Sequence, residues 1–253
     1  MFLIDDSIPF DSNSNTRVHM GQILINLAHA AAQVDHDGID LHFAGNPHCD
    51  RFKVKSWTTV MESFSSAEPR GRESMSRVDE ILSKYMARFR KHQDGQRFER
   101  LNLIVLTDGE TGHWEFQELR ENIKRYMEDL DSLGAPQNLM GVQFVLMGED
   151  SPNKKRFKEL DDLHKTYSTR TRYVKLGNLA VVSNSGYRDI VDATELAGDP
   201  AEMETELFNE LFNKILCGGV MRVWDEHLPG TGLGIDTRPL PPPTVEMRSA
   251  SKG

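Results

Sequence analysis

Two short stretches place oxygen-bearing side chains where a parallel α/β sheet does its chemistry. Ile4-Asp5-Asp6-Ser7 and Val105-Leu106-Thr107-Asp108-Gly109-Glu110 each run from an apolar segment straight into carboxylates and hydroxyls. In open α/β sheets, ligands bind in the loops that leave the carboxyl ends of the strands. Were the two apolar segments adjacent parallel strands, Asp5 and Asp108 would meet at that edge. Carboxylates with a hydroxyl, and no nitrogen or sulfur among them, suit a hard cation such as Mg²⁺. The same residue types also have ordinary local uses, because strand-end Asp residues often close a turn or cap the next helix.

The elements that must position these residues follow from apolar periodicity. Met1 to Asp5 reads as a short buried strand, and Ile39 to Ala44 as a second. Phe52 to Trp57 alternates like an edge strand. Leu101 to Leu106 and Met140 to Met147 are near-continuous apolar runs, as central parallel strands covered on both faces require. Helical spacing appears over Asn15 to Val34, then at Val78, Ile81, Leu82, Tyr85, Met86 and Phe89. It returns from Phe116 to Leu133, and again after a cap at Ser151-Pro152 through Phe157, Leu160 and Leu163. Arg172 to Leu176 and Leu179 to Val182 read as a hairpin, Asp189 to Val191 as a last short strand, and Asp199 to Leu216 as a final helix. Strands alternating with helices predict a Rossmann-like, doubly wound, mainly parallel sheet flanked by helices, spanning residues 1–226. Pro229, Gly230, Gly232, Gly234 and the run Pro239 to Pro243 predict a disordered tail over 227–253, with a polyproline II segment as a possible docking element.

Composition narrows the function classes. A formal net charge of -9 in 253 residues argues against a nucleic-acid binder. No apolar run approaches the roughly 18–20 residues of a membrane helix. Met1-Phe2-Leu3-Ile4 stops at Asp5-Asp6, short of a signal peptide, and lies so close to the first strand that an upstream segment is conceivable. Cys49 and Cys217 are the two cysteines. They predict no disulfide framework but an intracellular, cytoplasmic setting, each acting as a small buried hydrophobe. Trp114, just past the Asp108 loop, reads as a buried aromatic at a helix start, with a rim contact shared with His113 as the alternative.

Taken together, the motifs resemble the von Willebrand factor type A (vWA) domain. Phe2-Leu3-Ile4-Asp5-Asp6-Ser7 is similar to the opening of that family's metal-ion-dependent adhesion site, Asp-x-Ser-x-Ser, and Leu103 to Glu110 is similar to its fourth-strand motif. Asp35 to Phe43, Gly141 to Phe144, Leu160-Asp161-Asp162 and Arg188 to Asp192 resemble a fungal, intracellular branch, in the expected order from Phe2 to about Trp224. The resemblance implies metal ligation by Asp5, Ser7 and Asp108. It departs at Pro9, which stands where the family has its second Ser. It departs again between Pro69 and Ser76, where Arg72 or Ser74 occupies the position of the family's Thr. Ser74 can still ligate a cation, whereas Arg72 would neutralise Asp5 and Asp108 without one.

The resemblance implies a non-enzymatic module that binds a protein partner at this edge, with Mg²⁺ held weakly or not at all. A metal-free scaffold is the second expectation. A phosphohydrolase with Asp5 as nucleophile is the third, although Ser7 stands where such enzymes carry a second Asp. The sequence has no Ser nucleophile elbow, dinucleotide turn or phosphate loop in a strand-to-helix context.

Overall fold

A computed structural model describes residues 1–7, 16–34, 37–69, 74–92, 98–109, 114–148, 153–163, 172–176, 179–183, 188–196 and 211–216. The strands are β1 (Phe2–Ile4), β2 (Ile39–Phe43), β3 (Arg51–Val54), β4 (Leu101–Thr107), β5 (Met140–Met147), β6 (Arg172–Leu176), β7 (Leu179–Ser183) and β8 (Val191–Leu196). The helices are α1 (Thr16–Val34), α2 (Trp57–Ser66), α3 (Ser74–Lys91), α4 (Phe116–Ser132) and α5 (Lys154–Asp161), and residues 211–216 are also helical.

Six strands form one mixed sheet in the order β3-β2-β1-β4-β5-β8, and β6 pairs with β7 in a separate hairpin. All neighbours in the large sheet run parallel except β3, which lies antiparallel on β2 at one edge. This is the Rossmann-like, mainly parallel α/β arrangement expected from the sequence. The chain winds from β1 out to β2 on one side and later inserts β4 on the other. The winding therefore reverses between β1 and β4, which is where such sheets open a crevice at their carboxyl ends.

Alternation along the strands divides the core. Leu3, Leu103, Val105, Val142 and Phe144 face a layer built from α3, α4 and α5, including Val78, Leu82, Leu119, Ile123 and Phe157. Phe2, Ile4, Leu41, Phe43, Ile104, Leu106 and Val145 face α1, α2 and the 211–216 helix, through Met20, Ile23, Leu24, Leu27, Phe64 and Phe212. β4 and β5 are buried on both faces, which explains their uninterrupted apolar runs. Each fully buried Leu, Ile or Phe contributes about 1.5–3 kcal/mol relative to exposure.

Two expectations need correction. The edge strand is Arg51–Val54, and Trp57 opens α2 rather than closing a strand. Lys53 in this strand has φ 54°; Gly38 beside it has φ 90°, and a Cβ there would lie 2.7 Å from the Lys53 carbonyl carbon, so both the turn and the close approach require glycine. α5 begins at Lys154 with Asn153 in the cap position, and the Ser151-Pro152 pair expected to open it lies outside the described residues. The last strand is Val191–Leu196, not Asp189 to Val191; its polar Asp192 and Thr194 are buried, which hides it from an apolar pattern.

Trp114 is buried as expected, packed edge-on against Phe144 and Phe157. Cys49 is a buried free thiol. Among the described residues, no helix is long and apolar enough to cross a membrane. The tail at 227–253, Cys217 and most of the predicted final helix lie outside the described residues.

Candidate functional site

Register brings the site together. Ile4 pairs with Leu106, and the ladder continues one residue further, with the Asp5 N–H donating to the Leu106 carbonyl at 2.8 Å. Asp5 and Thr107 are thus neighbours at the carboxyl ends of adjacent parallel strands, at the point where the winding reverses. Asp5 is 1% exposed and Thr107 is fully buried.

A carboxylate this deep needs donors, and three supply them. The Ser7 hydroxyl donates to Asp5 Oδ1 at 2.6 Å, and the Ser7 N–H reaches the same oxygen at 3.3 Å. The Thr107 hydroxyl donates to Asp5 Oδ2 at 2.6 Å. Thr107 Oγ1 in turn accepts the Gly109 N–H at 3.0 Å, and Asn153 Nδ2 donates to the Gly109 carbonyl at 2.7 Å. That last bond explains why Asn153 does not cap α5 with its own side chain: it ties the start of α5 to the loop behind β4. Gly109 holds φ 73°, the left-handed conformation that suits glycine in this turn.

Asp6 points into a second network. Its Oδ1 accepts the Gly45 N–H at 2.6 Å, and its Oδ2 accepts from Asn46 Nδ2, which also donates to the Glu68 carbonyl at 2.5 Å. Nearby, the buried Arg17 guanidinium donates to the Ala67 carbonyl at 2.6 Å and lies 4.8 Å from the Phe64 ring centre. Burial pushes the Asp6 carboxyl above its ordinary value, against the pull of its Gly45 and Asn46 hydrogen bonds, and the neighbouring Asp5 charge adds to the rise. Burial lowers Arg17, and the Asp6 charge opposes that fall. Asp6, Asn46 and Arg17 thus lock the β1, β2 and α2 ends into one unit beneath Asp5.

Of the residues singled out from sequence, the structure brings Asp5 and Ser7 into direct contact. The β4 side chain bonded to Asp5 is Thr107; Asp108 follows it and is partly exposed. Ser74 is the first residue of α3, and its side chain lies outside the described residues, as do Pro9 and Arg72. The first turn of α3 is anchored by Arg77, which pairs with Asp50 and with Glu80 at 2.5 Å, while His42 Nδ1 lies 2.8 Å from Asp50. Sequence reading missed Thr107 as the partner of Asp5, and it missed Asn46, Arg17, Asn153 and Asp50 altogether. Only Thr107 carried a signal, through its place in the Leu-Thr-Asp-Gly segment.

The oxygens gathered at Asp5 are of the hard type that Mg²⁺ takes. Ser7 and Thr107 give their protons to Asp5 and keep oxygen lone pairs, one of which on Thr107 takes the Gly109 N–H, and Asp108 follows Thr107 in the chain. Mg²⁺ characteristically takes one or two carboxylates and fills its octahedron with waters. Among the described residues, no three His, Cys, Asp or Glu side chains gather into a metal-binding group. Compared with known proteins, the chain matches no family model and no curated sequence.

Proposed function

We propose that this chain is a non-enzymatic, intracellular protein-interaction module of the vWA kind. In this reading a protein partner binds the carboxyl-end edge around the partly exposed Ser7 and Asp108, over the buried Asp5 and Thr107, and Mg²⁺ is a weakly held addition. The observation that carries it is the Asp5 carboxylate, buried at the switch point between β1 and β4 and held by the Ser7 and Thr107 hydroxyls. Asp5 would act on a cation mainly by orienting those hydroxyls, while Asp108 and the hydroxyl oxygens would hold it. When bound, the ion would offer the partner's carboxylate an opposite charge.

Hydrogen bonding also supports a metal-free form of the same module, because Asp5 has donors on both oxygens without a cation. The same bonds weigh against a phosphohydrolase. A nucleophilic carboxylate must present an oxygen to substrate, and Asp5 is 1% exposed with both oxygens engaged.

A photo-crosslinking amino acid at exposed Gln117, beside this edge, tests the reading in the cells that make the protein. The expected result is a discrete protein adduct that disappears in an Asp5→Ala background. The control position is Leu133, at the far end of α4. Equal adducts from Leu133, or none from Gln117, would overturn it.

A further inference from the structure

We infer that a second site lies beside this edge, a groove between α4 and α5 that takes a carboxylate side chain from an acidic peptide segment of a protein partner. The groove has a volume of about 280 Å³ and is lined by Phe116, Gln117 and Arg120 of α4 and by Arg156, Glu159 and Leu160 of α5. Both helices start where the chain leaves a carboxyl end of the sheet, α4 after β4 and α5 after β5. The groove therefore opens on the same side of the molecule as Asp5 and Thr107.

Its lining carries two guanidiniums, Arg120 and Arg156. Arg120 Nε is buried without a hydrogen-bond partner. Among the described residues, neither Arg120 nor Arg156 forms an ion pair or a side-chain hydrogen bond. Other surface arginines on α3 and α4 are paired, as Arg125 of α4 is with Asp79 and Arg90 of α3 with Asp129. Arg156 Cζ lies over the Phe116 ring, 5.4 Å from its centre, a cation–π contact that leaves the guanidinium donors without a hydrogen-bond partner among the described residues.

Charge and size choose the ligand. Two guanidiniums and the Glu159 carboxylate leave the lining with a single net positive charge. One carboxylate neutralises it, whereas a phosphate dianion would leave an excess negative charge facing Glu159. Small-molecule sites run from about 300 Å³ upward, so this groove suits one acidic side chain with an apolar neighbour against Phe116 and Leu160. The inference rests on the proposed module only for the source of the carboxylate; the groove does not include Asp5.

The probe is the capped peptide acetyl-Gly-Glu-Leu-Gly-amide, titrated into the full ¹⁵N-labelled chain while the arginine Nε–H resonances are followed. The Arg120 and Arg156 signals should move saturably. The Gln counterpart of the peptide should bind about tenfold more weakly, as loss of one charge-assisted hydrogen-bonded pair requires. R156Q should abolish the response without affecting folding, because Arg156 is exposed. E159Q should strengthen binding about two- to fivefold by removing a like charge. A non-saturating response, equal binding of the Gln peptide, an unchanged R156Q response or tighter binding of the phosphoserine counterpart would each overturn the proposal. A D5N chain that still binds the peptide would show that the groove stands even if the Asp5 edge does not function.

Discussion

Thr107, the last residue of β4, donates its hydroxyl proton to Asp5 Oδ2 across the β1–β4 pair, 102 positions apart in sequence, at 2.6 Å. It is also the acceptor for Gly109 N–H, so one hydroxyl fixes both the carboxylate and the turn behind it. Replacing it with Val keeps the shape and removes both bonds. T107V should lose about 1–3 kcal/mol of unfolding free energy, because two buried polar groups lose their partner. T107S should recover most of it. Urea unfolding of the two variants checks this, and equal stabilities would contradict the role given to the hydroxyl.

The raised pKa of Asp6 makes a signed prediction. Between its ordinary value of 3.8 and its higher folded value, the native state binds more protons at Asp6 than the unfolded chain does. Asp6 therefore makes stability fall as pH rises through that window, with no further change above it. D6N removes this slope while disturbing the Asn46 contact at every pH, because an amide nitrogen would face the Asn46 amide. The stability of wild type relative to D6N should thus decline from about pH 4 upward and then level off, as read by urea unfolding across a pH series. A difference that grows with pH would contradict the direction of the shift.

Arg188 offers a test remote from the site. Its side chain is 1% exposed and donates to Asp131 Oδ1 at 2.6 Å, to the Pro136 carbonyl at 2.9 Å and to the Ala135 carbonyl at 2.7 Å. The guanidinium fork thereby binds the turn before β5 to the start of β8. R188M should cost about 1–3 kcal/mol, since it removes the donor that three oxygens share, two of them carbonyls. R188K should not rescue it, because an ammonium lacks the planar fork. Thermal or urea unfolding decides between these outcomes.

Sequence legibility followed how the core is distributed. β5 runs from Met140 to Met147 as read from the sequence, because every residue in it is buried and the apolar run has sharp ends. α2 escaped notice because only Val60, Ser63 and Phe64 of its ten residues are buried, and it follows an edge strand directly. β8 was displaced because Asp192 and Thr194 face inward; Thr194 accepts from Gln143 Nε2 at 3.0 Å. At the site, Asp5 and Ser7 were legible because they are two positions apart. The Asp5–Thr107 bond depends on the pairing of Ile4 with Leu106, and the Asp6–Asn46 and Arg17–Ala67 bonds join residues 40 and 50 positions apart. Such contacts are set by register and helix placement, which local pattern does not encode.

In the proposed reading, the oxygen-lined edge around Asp5 would hold a hard cation weakly. Paramagnetic broadening by Mn²⁺ in the ¹⁵N-labelled chain tests it most directly, since broadening reports weak and brief binding by position. The Ser7, Thr107, Asp108 and Gly109 amides should broaden first, while Gly134, beyond the far end of α4, should stay sharp. D5N should remove this selectivity, and excess Mg²⁺ should compete it away. Broadening centred elsewhere, or unchanged in D5N, would contradict the claim.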